Sequence, residues 1–101
     1  MSLKAAFIFV APQADPSQHQ AQVITPEVEV TTFAVANYRQ AEDLVPQLIE
    51  RGFVAIELCA GFGHDGVARV KRAAAGRIPV GAVRFDAHPG LEFQSGDSLF
   101  G

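Results

Sequence analysis

The chain has no tryptophan, and it holds a single cysteine, a single methionine and a single tyrosine among 101 residues. One cysteine excludes an intrachain disulfide framework, so the expected setting is a reducing cytoplasm. Cations are also scarce: eight Lys and Arg against eleven Asp and Glu leave a formal net charge of −3. They are scattered rather than grouped, so neither nucleic acid nor an anionic membrane surface is an expected partner. Long apolar runs are missing too. The longest, Ala5 to Ala11, is too short to span a bilayer or to serve as a signal peptide. There is no internal repeat and no low-complexity tract. Met1-Ser2-Leu3 can be an expression remnant and carries no weight.

What is present is an ordinary globular balance, 49% hydrophobic and 19% charged, which suits one small domain over residues 1–101 with a modest core. The organising stretch is Phe53 to Asp86. Phe53 to Cys59 is a nearly continuous apolar run, as expected of a buried parallel strand. Gly61, Gly63 and Gly66 then break the pattern, and from Val67 apolar residues recur at helical spacing (Val67, Val70, Ala74). Arg69, Lys71 and Arg72 suit the helix C-terminal half, and Gly76 suits a left-handed stop. Pro79 opens the next strand, where a missing N–H does least harm. The result is a βαβ unit with a right-handed crossover.

Earlier in the chain, Lys4 to Val10 reads as a central strand. Asp15-Pro16 reads as the cap and first residue of a short helix running to about Val23. Glu27 to Val35 alternates polar and apolar before turning apolar, as an edge strand would. Asn37, with Gln40 three residues on, opens the longest helix, whose Ala41, Leu44, Val45, Leu48 and Ile49 share one face; Pro46 should lie on its solvent side. The whole predicts a three-layer α/β domain with three helices. Its sheet would hold four strands, mainly parallel, in the order 2-1-3-4, a flavodoxin-like arrangement in miniature. Residues 87–101, with Leu91, Phe93, Leu99 and Phe100, form a tail too apolar to hang free.

In such a sheet the chain reverses direction between strands 1 and 3, and ligands bind beyond the carboxyl ends of the strands at that point. His19, Cys59, Gly61, Phe62, Gly63, His64, Asp86 and His88 all fall on that edge and are the candidate site residues. Gly61-Phe62-Gly63-His64-Asp65-Gly66 has the spacing of a dinucleotide fingerprint. However, no second nucleotide-binding half follows, and Asp65 would repel a phosphate, so no cofactor is expected. Free amides at this helix start suit a small carboxylate or phosphate better. Cys59 with His64 as base is the enzymatic alternative, although a cysteine closing an apolar strand is more often a small buried hydrophobe. No pair of histidines has metal-ligand spacing, so no metal is expected. Glu57 and Arg84, each inside an apolar strand, are expected to sit side by side as a partly buried ion pair.

The segments AAFIFVAPQADPSQH, ELCAGFGHDGVARV, VGAVRFDAHPG and SGDSLF together resemble a family of small stand-alone bacterial α/β proteins described only as a domain of unknown function. That pattern has glycine where this chain has Ala60. The resemblance implies one domain and carries no activity. The leading expectation is therefore a cytoplasmic domain binding a small anionic metabolite at the carboxyl edge. A Cys59/His64 enzyme and a structural or oligomeric scaffold are the alternatives. Because the short first helix could not cover one face of the sheet, a homo-oligomer, with a two-fold dimer favoured, is also expected.

Overall fold

Alternation decides the first part of the chain. Gln20-Ala21-Gln22-Val23-Ile24 alternates polar and apolar, and Thr25-Pro26-Glu27 turns it back on Val28 to Val35. In the computed structural model, which describes residues 3–101, these segments form β2 (Gln20–Ile24) and β3 (Val28–Val35), an antiparallel pair. The helix expected from Asp15 to Val23 is absent. Asp15 instead closes a tight turn, its carboxylate accepting from the Ser17 amide at 3.0 Å and the Ser17 hydroxyl at 2.8 Å. Such local bonding competes with a helix start. Thr25 then fixes the hairpin, its amide and hydroxyl both donating to the Val28 carbonyl at 2.8 Å.

The other strands fall where the apolar runs put them: β1 (Leu3–Val10), β4 (Ala55–Leu58) and β5 (Val80–Ala82). The sheet order is β2-β3-β1-β4-β5, parallel throughout except for β2 against β3. The expected four-stranded, flavodoxin-like sheet thus gives way to a mixed sheet of five. Leu3 pairs with Val28 and belongs to β1 rather than to a remnant; Met1 and Ser2 lie outside the described residues.

Helix α1 (Tyr38–Glu50) begins as its sequence suggests, with the Asn37 side chain accepting from the Gln40 amide at 2.9 Å. The return bond reaches one residue further back than expected, from the Ala36 amide to Gln40 Oε1 at 2.8 Å. Pro46 is exposed within the helix. Helix α2 (His64–Ala74) starts directly after Gly63, earlier than the apolar spacing indicates, and unwinds through Ala75 and Gly76, both at positive φ. Helix α3 (Asp97–Phe100) and a 3₁₀ turn (Pro89–Leu91) shape the tail.

The β3-α1-β4 and β4-α2-β5 crossovers put α1 and α2 on one face of the sheet. There Leu44, Val45 and Leu48 of α1 and Val70 of α2 close over Ile8, Phe33, Ile56 and Leu58. The three expected layers are therefore two, because the missing Asp15–Val23 helix was the one that would have lain on the other face. The expected Glu57–Arg84 pair does not form either. Glu57 stands opposite Gly81, and Arg84, beyond the end of β5, bonds Asp86 at 2.9 Å. Inside the core, Thr31 is buried, and its hydroxyl has no hydrogen-bond partner among the described residues. No helix among the described residues is long and apolar enough to cross a membrane.

Candidate functional site

The start of α2 offers backbone amides to an anion, and the chain supplies one. Asp97 Oδ2 accepts from the Asp65 amide at 3.0 Å, and Oδ1 from the Gly66 amide at 3.2 Å. Tyr38, from the first position of α1, donates its hydroxyl to Asp97 Oδ1 at 2.9 Å and accepts from the Gly63 amide at 3.0 Å. Partial burial works to raise the Asp97 pKa. The bonds from the Asp65 amide, the Tyr38 hydroxyl and the Gly66 amide outweigh it and hold the carboxyl below the usual range. Burial, together with the nearby Asp97 and Asp65 charges, pushes the Tyr38 phenol up to about 12, so it is a neutral donor at physiological pH.

The glycines of the turn are explained by this seat. A Cβ on Gly96 would run into the carbonyl oxygen of Gly61, and one on Gly63 into Ser95 and Asp97. A Cβ on Gly66 would stand 2.5 Å from Cζ of Tyr38, whose ring stacks on Phe62 at 5.3 Å between centroids. Gly63, Gly66 and Gly96 therefore permit the close approach of turn, Tyr38 and tail, whereas a Cβ on Gly61 would stand 2.7 Å from Cγ1 of Val10 in β1. Behind the latch, Phe100 is buried in the core and Leu91 packs against it. The tail thus borders the end of β1, leaving a hollow of about 440 Å³ between Pro12 and Leu91, Gln94, Leu99 and Phe100.

The eight candidate residues do not form one cluster. Gly61, Phe62 and Gly63 are buried, and Phe62 is a core side chain. Cys59, half-buried, accepts from the Gly61 amide at 3.2 Å through its sulfur. His64 is exposed, and its Nε2 lies 3.2 Å from Asp86 Oδ1, which Arg84 also holds. That pairing, chiefly with Arg84, keeps the Asp86 carboxyl below its usual range. His88 accepts from the Gly90 amide and meets the edge of Phe85. His19 lies apart, at the start of the β2 hairpin, where Nδ1 accepts from the Asp15 amide. Cys59 and His64 are thus each engaged by a different neighbour. Among the described residues, no group of three or more His, Cys, Asp or Glu is placed to hold a metal.

A second hollow was not legible in the residue types. Helix α1 packs across β1 and β3, while β2 extends the sheet beyond the helix. This leaves a trough of about 450 Å³ with Phe33 and Leu44 on its floor. Gln20, Gln40 and Gln47 line its walls; Asp15 and Asp43 add carboxylates, and Arg51 is the cation at the other end of α1. The Arg51 guanidinium lies 5.6 Å from the Phe33 ring and 5.5 Å from the Phe53 ring, so it rests on aromatic faces that limit its freedom. The sequence marked out Asp15 and Gln40 of this set as helix caps and Leu44 as part of an apolar helix face, but none of them as a lining residue of a binding site.

A family model matches residues 3–98, from the first residue of β1 into α3. The chain belongs to DUF6506, a family of unknown function. The match takes in both the glycine turn and Ser95-Gly96-Asp97, so the two halves of the tail latch lie within the DUF6506 region. No curated protein and no solved structure matched the chain. The signal for Asp97 was present in the sequence as Ser95-Gly96-Asp97, a polar step followed by the apolar Leu99 and Phe100, but only the fold brings it to α2.

Proposed function

We propose that this protein binds a small polar molecule carrying an acidic group, and that the trough between α1 and the β2 hairpin receives it. The supporting observation is the trough itself: an apolar floor with a few polar groups converging on it is the usual make-up of a small-molecule site. Arg51, fixed over two aromatic rings, is the group for the acidic end of the ligand. Gln47 on the wall, and the carboxylates of Asp15 and Asp43 at the far end, suit hydrogen-bond donors or an ammonium group. A zwitterion of amino-acid size meets both demands. This keeps the anionic ligand expected from the sequence but moves it off the carboxyl edge, where Asp97 already takes the amides of α2. The Cys59/His64 alternative lacks a bond between its two members among the described residues, since Cys59 accepts from the Gly61 amide and His64 pairs with Asp86.

The test is amide-resolved NMR titration with a panel of amino acids, dicarboxylates and phosphates. A binder should shift Gln20, Gln40, Gln47 and Arg51 together, and Arg51→Ala should weaken it at least about tenfold, as loss of a charged hydrogen-bonding partner would. Shifts centred instead on His64, Arg84 and Asp86 would return the ligand to the carboxyl edge. A panel that shifts neither set would remove the ligand reading.

A further inference from the structure

We propose that the helix-free face of the sheet is the contact of a two-fold homodimer, with the dyad running along β1 through Phe7. The strand registers define this face. Side chains that share it alternate with those under the helices: Phe7 and Phe9 of β1 stand beside Thr32 and Ala34 of β3, and Phe7 also beside Glu57 of β4. Val23 of β2, opposite Val30, continues the face on one side and Val83, beyond β5, on the other. Leu3, Val23 and Val83 are 47%, 66% and 59% exposed around the rim of this face, while Phe7 and Phe9 at its centre are half-buried and Ala5 and Ala34 buried. Two anchors of the tail lie on the helical side instead, Asp97 at the start of α2 and Phe100 in the core.

The occupant follows from size and charge. Five strands about 4.8 Å apart, with central strands of eight residues at about 3.3 Å each, present a face of roughly 500 Å². Two such faces together bury about 1,000 Å², the lower bound for a specific interface. Among the described residues the strands bring one charge to this face, Glu57, and no cation, since Lys4 turns to the other side and bonds the Arg51 carbonyl. Thr32 and Glu57 flank Phe7 at the same height on opposite sides. A dyad along β1 through Phe7 therefore lays each Glu57 over Thr32 of the second copy, whose hydroxyl can donate to it. It also keeps the two carboxylates about 10 Å apart laterally, two strand spacings. A dyad across the strands would instead stack Glu57 on Glu57. The face is thus complementary to itself in one orientation, as an isologous interface must be.

Sedimentation equilibrium of the full chain at micromolar concentration should give a dimer. Thr32→Glu, which sets one carboxylate against another, should raise the dissociation constant at least about tenfold. Adding Glu57→Lys to the same chain should bring the dimer back, since each new carboxylate at position 32 would then meet an ammonium group at position 57. Circular dichroism of each variant separates dissociation from misfolding, and Val23→Lys at the rim of the face is a second disrupting variant should Thr32→Glu fail to fold. A monomeric wild-type chain overturns the proposal, and the face would then belong to a different protein. A dimer untouched by both disrupting variants also overturns it. Dissociation without rescue by Glu57→Lys overturns the orientation along β1.

Discussion

Asp97 is where the chemistry of single residues matters most. Its lowered pKa means that the folded state holds the ionised form more firmly than the unfolded chain does. The stabilisation is present in full above the unfolded value of about 3.9 and is lost as the pH falls through the lower folded value. Asp97→Asn should cost about 1–2 kcal/mol at neutral pH, the scale of a lost helix cap with a charged acceptor. It should also flatten the acid response relative to wild type. Glu42, held low chiefly by its hydrogen bonds from Arg69, and Asp86 contribute acid sensitivity to both proteins, so the difference between the two stability–pH curves isolates Asp97. Thr31 should behave in the opposite way. Thr31→Val removes a buried hydroxyl that has no partner among the described residues, and urea unfolding should show it neutral or stabilising by up to about 1 kcal/mol, where a satisfied threonine would lose stability. The residue types at the carboxyl edge were legible in the sequence, but their partners were not. Nothing local tells Gly63 and Gly66 that residues 95–97 return to them, because that contact is set by the whole path of the tail.

At the level of elements, apolar runs indicate β1 and β4, but the burial on both faces that such runs suggest is not found: β4 alternates, with Ile56 and Leu58 buried and Glu57 exposed. The α1 start was legible for a local reason too, since its cap bonds span only a few residues. Asp15 to about Val23 reads as a helix because Asp15-Pro16 mimics a helix start, while the β character of Gln20 to Ile24 is realised only by pairing with β3. The consequence spreads: one strand in place of one helix turns a three-layer expectation into two layers, and it also creates the trough. The α2 N-terminus allows a test at the same scale. Gly66→Ala should favour the helix by up to about 1 kcal/mol on propensity alone. Yet its methyl would meet a Tyr38 ring held between Phe62 and the Asp97 latch, and such overpacking costs about 1–3 kcal/mol. Thermal unfolding should therefore show a net loss. A gain would mean that Tyr38 is free to move and that the latch is loose.

For the molecule as a whole, three surfaces divide the work. At the carboxyl edge, where an α/β sheet ordinarily takes its ligand, Asp97 of the tail takes the amides of α2. The trough beside α1 is the hollow proposed for a small molecule, and the helix-free sheet face is the surface proposed for a second copy. All three assignments depend on the tail being seated, since a tail that left the α2 start would free an anion site there. The most direct measurement is carbon-detected NMR titration of the Asp97 side-chain carboxyl, read alongside the Asp65 and Gly66 amides. A seated tail predicts a midpoint below the ordinary aspartate value of about 3.9, with both amide resonances moving through the same transition. An ordinary midpoint, with the two amides indifferent to it, would mean that Asp97 does not cap α2 and that the carboxyl edge stands open.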